Sequence, residues 1–150
     1  MALAVAEGVK EVKAVEVTVK KVEQASLDDL CSADGIIMGS PTYYGQMSGK
    51  LKTFIDRSVK IRGKLEGKVG AAFTSSAGTA TGAETTLFSI LETMLVHGMI
   101  IRGRSDDKHF GAATIGTHRT QRRLSTAKNL EEESRISYSS LKNRFGFRVL

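Results

Sequence analysis

Residues 39–50, GSPTYYGQMSGK, gather the side chains of this sequence best suited to holding a flat ring. Pro41 fixes its own φ and biases Ser40 toward extended geometry, Gly45 and Gly49 permit close backbone approach, and Tyr43 and Tyr44 bring two aromatic rings to one turn. A planar heterocycle needs backbone donors at its polar edge and an aromatic wall against its face. Pro41, Thr42, Tyr43, Tyr44, Gly45 and Gln46 can supply both, although the same composition also fits an ordinary strand-to-helix turn with tyrosines on the surface. Gly45 to Lys50 imitates a phosphate-binding loop but has three residues between its glycines instead of four, and Leu51 follows the lysine where Ser or Thr is required.

A second stretch, SSAGTATGAET at 75–85, has a different character. Ser75, Ser76, Thr79 and Thr81 offer hydroxyl hydrogen bonds, while Ala77, Gly78 and Ala80 let a ligand lie against the backbone. Thr81 and Glu84 also have the spacing of an N-cap and the N3 member of a capping box. His97 stands at a predicted helix end, where it serves either as a cap that favours the helix dipole or as a functional base. No carboxylate pair, no Ser/His/Asp set, no His/Glu metal spacing and no GxGxxG between a strand and a helix emerges.

The elements that must position these loops follow from periodicity. Val15, Val17 and Val19 alternate with Glu16, Thr18 and Lys20, the pattern of a half-buried outer strand over 14–22. Ser26 with Asp28 and Asp29 predicts a short capped helix. The apolar run Ile36–Met38, and GKVGAAFTSS at 67–76, read as strands covered on both faces. Met47, Leu51, Phe54 and Ile55 mark one amphipathic helix; Leu87, Ile90, Leu91, Met94 and Leu95 mark another, closed by Gly98. Residues 99–101 begin a further strand, which FGAATIG at 110–116 completes after a polar interruption at 102–109. Alternating strands and helices predict an α/β fold with a mainly parallel sheet, and ligands bind such sheets beyond the strands' C-terminal ends. That rule selects the loops 40–49, 75–84 and 102–109.

Composition narrows the class. The net charge of +6 divides unevenly: residues 1–116 hold 14 Lys/Arg against 13 Asp/Glu, and 117–150 hold 8 against 3. A nucleic-acid partner would rest on those last residues alone, which show no binding motif. No apolar run approaches a membrane span, and the N-terminus lacks a secretory layout, so the expected location is the cytoplasm. Cys31, the single cysteine, excludes an internal disulfide and reads as a buried apolar filler.

At GSPTYYGQMSGKLKTFIDRS the sequence resembles the WrbA-like branch of the flavodoxin superfamily, the NAD(P)H:quinone oxidoreductases and related iron–sulfur flavoproteins. GKLEGKVGAAFTSSAGTATGAETTLFSILETMLVHGMIIRG and then HFGAATIG continue the match in order, so the resemblance covers about residues 2–116. It implies a flavodoxin-like three-layer sandwich with a parallel sheet in the order 2-1-3-4-5 and FMN at its C-terminal edge. It also implies that Thr42, Tyr43 and Tyr44 contact the isoalloxazine with Gly45 and Gln46 adjoining, and that Ser76, Ala77, Gly78, Thr79 and Ala80 contact its other side and the ribityl chain. His97 matches a histidine that lines the flavin pocket, often from a neighbouring subunit of a dimer or tetramer. The implied activity is hydride transfer from NAD(P)H to FMN, then two-electron delivery to a quinone.

The sequence departs from that pattern at both ends. Met1 to Val9 reads as the helix that follows the family's first strand and phosphate loop, so the central strand between 14–22 and 35–39 is expected to be missing, leaving two exposed edges. Residues 117–150 read as a divergent basic tail, helical in part over 122–143, after a flavodoxin-like domain at 1–116. A flavin-free remnant or interaction domain is the rival expectation.

Overall fold

The computed structural model describes residues 1–105, 108–116 and 145–150. Their elements run α1 (Ala2–Lys10), β1 (Val15–Val19), α2 (Leu27–Ser32), β2 (Gly35–Pro41), α3 (Gly49–Arg57), β3 (Val69–Ser76), α4 (Ala83–Val96), β4 (Ile100–Ile101), β5 (Ala112–Ile115) and β6 (Phe145–Val149). Short 3-10 turns at Val22–Gln24 and Ser58–Ile61 follow β1 and α3. Every strand pairing is parallel, and the order is β1-β6-β2-β3-β4, with β5 also on β3.

Two apolar clusters form because alternate strand residues point to opposite faces. Ile36 and Met38 of β2 and Ala72 of β3 meet Leu30 of α2, Leu51 and Phe54 of α3, and Leu87, Ile90 and Met94 of α4. On the other face Ile37 and Phe73 meet Val5, Ala6 and Val9 of α1, together with Phe147 and Val149 of β6. The parallel sheet covered on both sides is therefore as expected.

The expected gap at the centre of the sheet is not there. β6, from the end of the segment read as a tail, lies between β1 and β2, pairing Val15–Val19 with Phe145–Val149 and Gly35–Ile37 with Phe147–Val149. Its period-2 pattern explains this: Phe147 and Val149 enter the α1 face while Leu150 enters the other core. Arg148 interrupts the apolar run but has partners, donating from Nη1 to Thr18 Oγ1 at 3.1 Å with Nε 3.8 Å from Asp29 Oδ1. The helix expected within 122–143 lies outside the described residues.

The split strand expected at 99–116 is present as β4 on Val69–Gly70 and β5 on Phe73–Ser76 of the same neighbour. The cap predicted at Ser26 forms at α2, and Asp29 completes it as a capping box. The box expected from Thr81 and Glu84 does not form: α4 starts a residue later, from Gly82 at φ +94°, and Thr81 Oγ1 instead closes the preceding turn on Gly78. Cys31 is half-buried against the α2–α4 core, so the expected small filler is only partly covered.

Candidate functional site: two turns at one edge of the sheet

β2 and β3 end side by side, with Pro41 opposite Ser75, so the turns that follow them leave the sheet together. The first begins with Thr42 N–H donating to Ser75 O at 2.8 Å. It reverses through a mutual pair of backbone bonds between Tyr43 and Gln46, at 3.0 and 2.9 Å. Tyr44 at φ +50° and Gly45 at φ +73° occupy the middle, the left-handed pair of a type I′ turn. A left-handed tyrosine is strained, and it holds its ring out: Tyr44 is 106% and Tyr43 58% exposed.

The second turn follows Ser76, whose hydroxyl donates to Gly78 O at 3.0 Å. Ala80 at φ +55° and Gly82 at φ +94° bend it back into α4. The two turns touch: a Cβ on Gly82 would lie 2.7 Å from Gly45 Cα, and one on Gly45 would lie 3.0 Å from Thr85 Oγ1. Gly82 is thus favoured as glycine by backbone angle and by space, and Gly45 by its backbone angle.

Hydroxyl groups that sequence patterns did not single out lock this geometry. Met47 N–H donates to Ser89 Oγ at 3.2 Å, tying the first turn to α4, and Ser48 N–H donates to Ser40 Oγ at 2.7 Å. Buried Thr74 donates to Ser40 O at 2.7 Å and lies 3.0 Å from Thr42 Oγ1. The available signal was a hydroxyl inside the buried run AAFTSS, since a buried polar group must find a partner. Beside the first turn, Lys50 and Glu23 pair at 2.7 Å, which raises the lysine pKa and lowers the carboxyl.

Of the residues singled out from sequence, Pro41 to Gln46 and Ser75 to Ala80 come together here. His97 does not join them. It caps the C-terminal end of the 14-residue helix α4, about 22 Å along the axis from Gly82. Gly98 O there accepts from Gly67 N–H just before β3, which places His97 at the opposite end of the sheet. Its Nε2 lies 2.7 Å from Ser58 Oγ, and burial pushes its pKa down. Among the described residues no His, Cys, Asp and Glu group could hold a metal, and no helix is long and apolar enough to cross a membrane.

The NADPH-dependent FMN reductase family matches residues 5–105 of the chain. A protein described as a flavodoxin from Aquifex aeolicus (strain VF5) is 34% identical over 137 residues, covering 87% of this chain and 74% of the relative. The crystal structure of a flavodoxin, WrbA-like protein from Agrobacterium tumefaciens superposes with a TM-score of 0.71 at 26% identity, over 93% of this chain and 88% of the other. A flavodoxin from the domain Archaea gives a TM-score of 0.64 at 28% identity, over 87% and 82%. The parallel α/β fold agrees with these matches, and the chain belongs to the NADPH-dependent FMN reductase family, as a flavodoxin-like, FMN-binding protein.

Proposed function

We propose that this chain holds the isoalloxazine of FMN between the turn Pro41–Gln46 and the turn Ser75–Ala80, and passes two electrons from NAD(P)H to a quinone-type acceptor. The observation that carries the reading is the contact of Gly45 with Gly82, which supports one slot in place of two unrelated turns. The residues present suit the ring. Tyr43 and Tyr44 expose aromatic faces, Thr42 presents a half-buried hydroxyl, and the left-handed Tyr44–Gly45 pair sets the backbone of the turn that carries them. Bound FMN would supply the redox chemistry, so that one hydride from NAD(P)H and one proton from solvent end on the quinone as a quinol. The chain's own part is to orient the ring and exclude water, which accounts for the lack of an acid–base constellation in the described turns.

His97 enters this reading only through a second copy, since within one chain it faces the far end of the sheet. Exposed Leu95, Val96 and Ile100 around it support a homo-oligomer, dimer or tetramer. A cytoplasmic location fits a chain with one cysteine. The test is a titration with FMN: a shifted visible spectrum and quenched flavin fluorescence at one per chain, followed by NAD(P)H-dependent reduction of menadione. A protein that stays colourless in excess FMN and oxidises no NAD(P)H is instead a flavin-free interaction domain.

A further inference from the structure

The hydroxyls of Thr42 and Thr74 share one hydrogen-bond chain whose direction is fixed by its inner end. A carbonyl oxygen can only accept, so the 2.7 Å contact between Thr74 Oγ1 and Ser40 O commits the single hydroxyl proton of Thr74. Thr74 is fully buried, and an oxygen-to-oxygen contact of that length with no proton between would be repulsive. The 3.0 Å contact between Thr42 and Thr74 must then be bridged by the proton of Thr42. Thr42 is left with its lone pairs facing outward. No donor among the described residues reaches its oxygen, and the residue is half-buried at the base of the first turn, where its N–H holds Ser75 O at 2.8 Å.

We infer that Thr42 acts toward the occupant of the slot as an acceptor only, with Thr74 as the positioning residue that makes it so, and that the site selects a ring bearing an N–H donor. This rests on the flavin reading above, in which the donor is the imide N3–H of the isoalloxazine. A ring presenting only acceptors at that edge would meet lone pair with lone pair and lose the contact. The side chain thus sets specificity through a proton that points away from the ligand.

The probes are FMN and N3-methyl-FMN, whose binding to the full chain is measured by fluorescence quenching and calorimetry. Methylation adds bulk as well as removing the donor, so the informative quantity is how the preference for FMN changes between variants. Thr42→Val keeps the shape and removes the acceptor; the preference should fall roughly three- to tenfold, from weaker FMN binding with methylated binding unchanged. Thr42→Ser should retain it. Thr74→Val frees the Thr42 proton and should also reduce the preference, whereas Thr74→Ser should restore it. An unchanged preference in Thr42→Val, with FMN still bound, overturns this inference and leaves the flavin reading standing. Failure of the wild-type chain to bind either probe overturns both.

Discussion

Phe147 provides the sharpest test of the central position of β6. Its ring lies over Gly35, the residue paired with it on β2, so closely that a Cβ on Gly35 would sit 2.2 to 2.8 Å from three ring atoms. Phe147 is 6% exposed. Truncation to alanine should cost about 3–5 kcal/mol, a large part of the roughly 5–15 kcal/mol that holds a domain together. The milder Phe147→Leu, at about 1–1.5 kcal/mol, keeps the fold measurable. Gly35→Ala in the wild-type chain forces the ring aside and should cost about 1–3 kcal/mol. With Phe147→Ala or Phe147→Leu already made, the added methyl enters space the ring has left, so the double variant should be more stable than the sum of the singles by about 1–2 kcal/mol. The chain has no tryptophan, so urea unfolding is followed by far-UV circular dichroism with the slope required to stay constant. Additive costs would mean that residues 35 and 147 do not share that space, and the placement of β6 would fail.

Other outcomes follow from groups described above. Asp29 accepts from Lys20 Nζ at 2.7 and 2.8 Å and from the Ser26 N–H at 2.8 Å, and the lysine foremost lowers its pKa from 3.8 to about 2. A depressed carboxyl stabilises the fold above the unfolded value, so thermal stability should fall as pH drops from about 4 toward 2, and Asp29→Asn should flatten that slope. His97 has its pKa lowered by burial, so its protonation opposes folding: stability should decline as pH falls below the ordinary histidine value of 6.5, and a melting series on His97→Gln should lack that decline. Gly82→Ala places a Cβ 2.7 Å from Gly45 Cα at φ +94°, and should cost about 1–3 kcal/mol in urea and weaken FMN binding in the same titration. Ser89→Ala removes the acceptor of the Met47 N–H and should cost about 1 kcal/mol; a melting curve identical to wild type would show that this tie does not hold the turn.

How much of this was legible in the sequence depends on whether the signal was local. The valine alternation of β1, the apolar runs of β2 and β3 and the stripes of α3 and α4 are local, and each produced its element within a few residues. The turn at Tyr43 was legible as a turn, because proline and glycine punctuate it. Its contact with Gly82 was not, since that depends on two strands ending in register. β6 escaped because five residues containing Gly146 and Arg148 make a weak strand pattern, and a search for a continuing helical stripe looks for the wrong period. Thr74 and Ser89 escaped for a related reason: a hydroxyl in an apolar segment announces a partner without naming it.

The place of β6 also bears on how the protein is made. Its partner residues on β1 precede it by 130 positions, as Val15 pairs with Phe145, and among the described residues β1 pairs with no other strand. While the chain emerges from the ribosome, β2 and β3 can join early, but the valine-rich first strand must wait with its backbone groups satisfied only by water. Assembly is therefore delayed until nearly all of the described sequence has been synthesised, and such distant pairing is slow. The nascent chain during that interval, with an open seam on either side of the vacant centre, is where association with other chains or with a holding chaperone should concentrate.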